Sequence, residues 1–149
     1  MTGAAISFAK APAMTQLFTN LRLLDPEANR LAPGALLVRD GKIAEVLDAT
    51  PDRAPEGAEV IDCDGHVLAP GIVDLGVKVC EPGERHKESY RSAGLAAAAG
   101  GVTTMVTRPD TEPAIDSPET LEFVTRRANE AAPVNVVPMA ALTKGREGR

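Results

Sequence analysis

The sequence predicts an α/β fold in which a small, mostly antiparallel β unit precedes a domain of alternating strands and helices. Three observations lead to this prediction. An Asp-Gly pair at 40–41 joins two strand-like segments, which is typical of a β-hairpin. After Pro70 the pattern becomes strand, helix, strand, helix, strand, which is typical of a parallel sheet. The 149 residues are 44% hydrophobic and 25% charged, which fits a globular chain.

The β unit is predicted over residues 17–66, after an Ala-rich tail at 1–16 that shows no periodicity. Its strands are expected at 17–24, 35–39, 42–47 and 59–62. The pair Asp40-Gly41 predicts a type I′ turn, because both central residues of that turn need a positive φ. A second Asp-Gly pair at 64–65 predicts another turn after the last strand.

The second unit is predicted over residues 67–149, with strands at 72–79, 102–106 and 134–139. A helix over 88–99 should end at a Gly-Gly pair, which is a good C-terminal cap. The next helix should begin at Ser117 as its N-cap with Pro118 in its first turn. This helix carries an apolar stripe of Leu121, Val124 and Ala128.

Charge and composition exclude several classes of function. The chain has 16 basic and 21 acidic residues, and the net charge of −5 argues against a nucleic-acid partner. No apolar run reaches the roughly 18 residues of a membrane helix, and the first residues do not resemble a secretory signal. Cys63 and Cys80 form no C-x-x-C pair and fit a reducing compartment, so we expect a cytoplasmic protein without membrane contact.

Five motifs follow one another along the second unit. They are Ala-Pro-Gly-Ile-Val-Asp at 69–74, Glu-Pro-Gly at 81–83, an Ala-rich run ending in Gly-Gly-Val-Thr-Thr at 96–104, Thr-Glu-Pro-Ala-Ile-Asp at 111–116 and Ala-Leu-Thr-Lys-Gly at 141–145. In this order they resemble the start of a dihydroorotase-type amidohydrolase, and the resemblance covers about residues 17–149. It implies a (β/α)8 TIM-like barrel that carries a small β domain.

The length of the chain allows only the start of such a barrel. A complete barrel takes roughly 250 residues, whereas about three βα units are predicted here. We therefore expect an incomplete barrel, from the N-terminal part of a longer protein or from a truncated reading frame. The sequence leaves open whether Arg149 is a natural end and whether Met1 or Met14 is the start.

The resemblance places the family's first metal motif on the first barrel strand. In the family this strand carries His-x-His, whose two side chains share a face and bind the catalytic zinc. The matching residues here are Gly76 and Lys78. Glycine has no side-chain ligand, and the lysine ammonium has no lone pair. We therefore expect no metal, no cofactor and no catalytic residue in this chain.

Strand alternation predicts which side chains of this segment point into the barrel. The helix-facing residues should be Val73, Leu75, Val77 and Val79, and the inward residues should be Asp74, Gly76 and Lys78. Asp74 is therefore a possible pocket residue. We hypothesise that the Lys78 ammonium partly replaces the missing cation by neutralising Asp74 and Asp110. The alternative is a lysine that extends to the barrel mouth.

Two further pocket positions depart from the family pattern. An arginine that precedes the Glu-Pro-Gly motif in the family, where it can bind a substrate carboxylate, is replaced by Cys80. The family's asparagine in Met-Pro-Asn-Thr is matched by Asp110, an anion that would repel the carboxylate of dihydroorotate. These changes, together with the lost histidines, indicate a changed function.

The remaining chemically active residues have simpler interpretations. His66 lies in a turn, and His86 lies in a loop without a recognised ligand spacing, so both are expected to be ordinary polar residues. Cys80 is expected to be an inert filler, because a nucleophile needs a base within reach, and Cys63 is expected to be structural. The motif at 81–83 is expected to shape its loop.

The resemblance implies a non-catalytic dihydroorotase-like protein of pyrimidine biosynthesis, a pseudoenzyme that supports aspartate carbamoyltransferase. It also implies a homo-oligomer for the full-length protein. A rival interpretation is a piece of an active zinc-dependent hydrolase that uses later ligands to open dihydroorotate, a hydantoin or allantoin. A third is a non-functional gene fragment.

Overall fold

The computed structural model describes residues 14–148, which form two compact units. The division falls after Pro70, whereas the sequence pattern places it at residue 66. Residues 1–13, which hold most of the predicted tail and the alternative start, lie outside the described residues. Of that tail, Thr15 and Gln16 belong to the first strand, because they pair with Arg39 and Val38.

The first unit is a five-stranded sheet. Its strands are β1 (Thr15–Asp25), β2 (Arg30–Arg39), β3 (Lys42–Leu47), β4 (Glu59–Asp62) and β5 (Val67–Leu68). The order is β3-β2-β1-β4, and β5 also pairs with β1. The pairs β1/β2 and β2/β3 are antiparallel, whereas β4 and β5 run parallel to β1. Leu17, Ala35 and Leu37 form the buried core of this sheet.

Both predicted Asp-Gly turns are confirmed. Asp40 and Gly41 have φ values of 51° and 72°, as a type I′ hairpin turn requires. Asp64 and Gly65, after β4, have φ values of 50° and 73°. The backbone N–H of Gly65 donates to the carbonyl of Asn20 at 2.7 Å, so this second turn is attached to β1.

The second unit alternates strands and helices, as predicted. Its elements are β6 (Ile72–Val77), α1 (Tyr90–Ala99), β7 (Val102–Thr107), α2 (Pro118–Ala131), β8 (Asn135–Pro138) and a short 3₁₀ helix (Lys144–Arg146). The three strands form a parallel sheet in the order β6-β7-β8. No helix among residues 14–148 has the length and hydropathy needed to cross a bilayer.

Capping residues define where the two helices begin. Ser89 and Ser92 form a capping box, in which each side chain accepts from the backbone N–H of the other, so α1 begins later than the predicted residue 88. Ser117 caps α2 as predicted, with Pro118 as its first residue.

The core of the second unit lies between the sheet and the helices. Its fully or nearly fully buried residues are Val79, Tyr90, Ala93, Met105, Ile115, Val124 and Ala128. The predicted stripe of α2 is confirmed, because Val124 and Ala128 are buried in this core and Leu121 packs against it.

Candidate functional site

A cleft of about 340 Å³ lies where the strands of the second unit end. It is lined by Lys78, Cys80, Pro82, Glu84, Asp110, Thr111, Glu112 and Arg146. Lys78 directly follows β6, Asp110 follows β7, and Arg146 follows β8. Loops after parallel strands meet at this edge of a sheet, which is where such folds bind their ligands. Three of the predicted pocket residues, Lys78, Cys80 and Asp110, therefore come together.

The centre of the cleft is a carboxylate that contacts two cations. Lys78 Nζ lies 3.2 Å from Asp110 Oδ2, and Arg108 Nη2 donates to the same oxygen at 2.7 Å. The Asp110 side chain is only 12% exposed, whereas both cations are half exposed. Lys78 therefore contacts one of its two hypothesised partners. Arg108 is a site residue that the sequence analysis missed, although it lies only two positions before Asp110.

These contacts set the protonation state of Asp110. Burial by itself raises the pKa of a carboxyl group. The hydrogen bond from Lys78 and the charges of Arg108 and Lys78 outweigh that effect, so the pKa of Asp110 lies below its usual value. The group is therefore an anion at neutral pH.

The predicted alternation along β6 is wrong for its first half. The register between β6 and β7 shifts between Leu75 and Val77, because Gly76 forms an irregularity with a φ of +87°. Val79 is buried against the helices and Val77 packs there, as predicted. The side chains of Val73 and Leu75 are instead 57% and 72% exposed.

The shift also changes the direction of Asp74. This residue pairs in register with Met105, which is buried between the sheet and the helices. Paired residues of neighbouring strands share a face of the sheet, so Asp74 lies on the helix side. The predicted inward direction of Asp74 does not hold, and this residue does not line the cleft.

Replacing Gly76 by alanine should destabilise the protein by about 1–2 kcal/mol. An added Cβ meets nothing within 4 Å, so the loss comes from the left-handed backbone alone. Gly100→Ala is the matched control, because its φ of −90° suits any residue and its Cβ makes only ordinary contacts. Urea unfolding measures both variants, and a Gly76→Ala protein as stable as the control contradicts the prediction.

Glu81 fixes the loop between β6 and α1. Its side chain is 5% exposed; Oε2 accepts from the backbone N–H of Tyr90 at 3.0 Å, and Oε1 accepts from Arg127 Nε at 2.7 Å. Burial raises the pKa of Glu81, but the bonds from Arg127 and Tyr90 and the charges of Arg127 and Arg85 together lower it. The loop that carries Cys80 is thus attached to both helices, which agrees with a shaping role for the motif at 81–83.

Asp116 fixes the loop after β8. Its Oδ2 accepts from the backbone N–H of Gly145 at 2.7 Å, and its carbonyl accepts from Lys144 Nζ at 3.1 Å. These bonds join the motif at 111–116 to the motif at 141–145. They hold the backbone next to Arg146, a cleft residue that the sequence analysis also missed. The only sequence signal that could have placed Arg146 near the cleft was the presence of both motifs in one chain.

The residues of this cleft do not fit the zinc that the family resemblance implies. Gly76 offers no donor, and Lys78 is a cation already paired with Asp110. Within residues 14–148, no three His, Cys, Asp or Glu side chains come together in a way that could hold a metal ion. His66 contacts the carbonyl of Cys63 in the first unit, and His86 is exposed. Both cysteines are free thiols.

Comparison with known proteins gives a consistent assignment. Residues 65–149 match the family model described as "Dihydro-orotase-like". The chain is 44% identical over 135 residues to the dihydroorotase of Bacillus cytotoxicus, which covers 91% of this chain and 31% of that protein. It is 40% identical to the dihydroorotase of Ehrlichia chaffeensis, covering 88% of this chain and 30% of that protein. The chain thus spans about a third of the length of these relatives.

Solved structures show the same fold. The L-hydantoinase (dihydropyrimidinase) of Arthrobacter aurescens superposes with a TM-score of 0.74 at 23% identity, over 85% of this chain and 27% of that one. A D-hydantoinase superposes with a TM-score of 0.68 at 27% identity, over 89% of this chain and 29% of that one. These structures confirm the predicted fold, the first part of a (β/α)8 barrel with its preceding β unit. The chain belongs to the dihydroorotase-like family of cyclic amidohydrolases and corresponds to its N-terminal part.

Proposed function

We propose that the complete protein containing this chain is a non-catalytic member of its family that supports aspartate carbamoyltransferase in pyrimidine biosynthesis. The observation that carries the first half of this proposal is the ion pair between Lys78 and Asp110. It puts a paired ammonium directly after β6, at the position that matches the second histidine of the family's His-x-His. The second half rests on the family resemblance, because non-catalytic relatives occur beside this transferase.

The chemistry of the cleft supports the absence of turnover. Opening a cyclic amide with water needs a group that takes a proton from the water, and an efficient base has a pKa near the working pH. Lys78 is paired with the Asp110 carboxylate, and an ammonium group has no lone pair to accept a proton. Asp110 is a weak base, because its pKa lies below its usual value. Neither central residue is suited to activate water.

The first test measures metal content and turnover of the complete protein. We expect no stoichiometric zinc after purification with zinc present, and no hydrolysis of dihydroorotate or cyclisation of carbamoyl aspartate. The dihydroorotase of Bacillus cytotoxicus, treated identically, is the positive control. Bound zinc with turnover that a chelator abolishes would contradict the proposal and favour the active hydrolase.

The second test concerns the partner. The complete protein is co-expressed with the aspartate carbamoyltransferase of the same organism and analysed by size-exclusion chromatography. We expect the two proteins to elute together and the transferase to lose its assembly when this protein is omitted. Separate elution, with a fully assembled transferase in both cases, contradicts this half of the proposal.

A further inference from the structure

We propose that the complete protein forms a two-fold dimer in which the β3 strands of two copies pair antiparallel, edge to edge. β3 lies at one end of its sheet, so within the described residues only one of its two edges is paired, by β2. Such an edge offers backbone N–H and C=O groups to another strand. The inference names a surface through which copies assemble, and it is independent of the proposed function.

An extra residue in β3 places its two charged residues on one face of the sheet. Lys42 pairs with Arg39 of β2. Glu45, three residues later, pairs with Leu37, because Ala44 is the extra residue at a β-bulge. Arg39 and Leu37 are two residues apart and share a face, so Lys42 and Glu45 share it as well. Both charged residues are exposed, and neither forms an ion pair within residues 14–148.

The same bulge places two apolar residues of β3 together on the opposite face. Ile43 pairs with Val38 and Val46 pairs with Leu36, and these partners in β2 share the face that Leu37 does not occupy. Ile43 and Val46 are 66% and 61% exposed. Diagonal neighbours in an antiparallel pair are within reach of each other. A second β3 strand would therefore bring Ile43 of one copy next to Val46 of the other.

The charges of β3 are complementary to those of a second β3 strand in the antiparallel direction. About a two-fold axis, the register that places Lys42 opposite Glu45 of the second copy also places Glu45 opposite Lys42. Opposite charges across two strands stabilise the pair, whereas like charges destabilise it. A parallel pair in register would place Lys42 opposite Lys42. The charge pattern thus favours the antiparallel two-fold arrangement.

These features select a second copy over an unrelated strand. A lysine and a bulge protect an edge strand, because the charge needs a complement and the bulge bends the backbone. The complement of Lys42 is Glu45 in the same strand, so only a partner with a matching pattern removes this protection. The contact also closes on itself, because it uses the β3 edge of both copies. A closed dimer therefore leaves no β3 edge for further growth.

Sedimentation velocity of the complete protein at low salt tests this inference through exchanges of charge. We expect a dimer, and Glu45→Lys should weaken it by about tenfold, because two attractions become two repulsions. Lys42→Glu should have the same effect. Combining both substitutions should restore the wild-type dissociation constant, since opposite charges face each other again. Glu56→Lys, an exposed residue of the loop after β3, matches the change of charge and should leave the dimer unchanged.

A monomeric wild-type protein overturns the inference, as does a dimer that neither single substitution weakens or that the double substitution does not restore. Crosslinking of the wild type by a carbodiimide, which joins lysines to carboxylates, keeps the test decisive if a variant does not fold. In a mixture of unlabelled and ¹⁵N-labelled protein, a Lys42–Glu45 crosslink between the two kinds of copy supports the inference, and its absence contradicts it. None of these outcomes changes the turnover and transferase tests.

Discussion

Arg127→Leu should lower the free energy of unfolding of the complete protein by about 2–4 kcal/mol. The guanidinium is the strongest partner of the Glu81 carboxylate, to which Nε donates at 2.7 Å. Without it, a carboxylate whose side chain is 5% exposed keeps only the backbone N–H of Tyr90 and a longer contact to Arg85. Arg127 itself is 26% exposed, so we place the loss below that of a fully buried ion pair.

Arg126→Leu is the matched control for this variant. Arg126 precedes Arg127 on α2 and is exposed, so its replacement should change stability by less than about 0.5 kcal/mol. Urea unfolding at neutral pH compares the two variants. If both variants lose the same free energy of unfolding, the buried Glu81 carboxylate does not need Arg127 as a partner.

Acid titration adds a second readout for the same pair. The folded-state pKa of Glu81 lies below its ordinary value of 4.5, so this group stabilises the fold above that pH. The contribution is lost as pH falls through the lowered folded pKa. In Arg127→Leu, the arginine no longer opposes the effect of burial, which raises the pKa of Glu81. Protonation of Glu81 then removes the cost of a buried charge without its main partner. The difference between wild type and Arg127→Leu should therefore shrink below about pH 4.5.

Tyr90→Ala should destabilise the protein by about 3–5 kcal/mol, because it removes a large aromatic side chain from the core. Tyr90 is 0% exposed and packs among the residues that join both helices to the sheet. The backbone N–H at this position, which donates to Glu81, remains in the variant, so the loss reports on the side chain. Thermal or urea unfolding of the complete protein measures the effect.

Tyr90→Phe is the control that separates the ring from the hydroxyl. Burial raises the pKa of Tyr90, and the nearby hydroxyl of Thr107 offsets this only in part. Within the described residues, neither of these two buried hydroxyls makes a hydrogen bond of good geometry. Removing an unsatisfied buried hydroxyl should leave stability unchanged or increase it. If Tyr90→Phe lowers the free energy of unfolding as much as Tyr90→Ala does, the hydroxyl and not the ring provides the stability, and the prediction is wrong.

The parts of the fold that sequence analysis predicted depend on local signals. Asp40 and Gly41 specify a turn by their own conformational preferences, and Ser117 with Pro118 specifies a helix start within a few residues. Each of these signals is complete within one short segment. The order of strands and helices followed from the same kind of information.

The parts that sequence analysis missed depend on contacts between distant segments. The parallel pairing of β4 with β1 and the bonds from Asp116 to Gly145 join positions that no local pattern connects. The irregularity at Gly76 is local, but alternation assumes a regular strand, and one glycine at positive φ resets it. The contact between Lys78 and Asp110, 32 residues apart, was expected from the family resemblance and not from a local pattern, whereas the direction of Asp74 depended on alternation alone.

Because of the conformation of Gly76, introducing the family's two histidine ligands depends on the order of the substitutions as well as on the histidines themselves. Gly76→His puts a bulky ring on a backbone with φ of +87°, and Lys78→His takes away one of the two cations that contact Asp110. Each single step is unfavourable before the other has been made. An engineer who wants zinc chemistry in this barrel should first redesign the end of β6 to a regular strand and only then introduce the histidines.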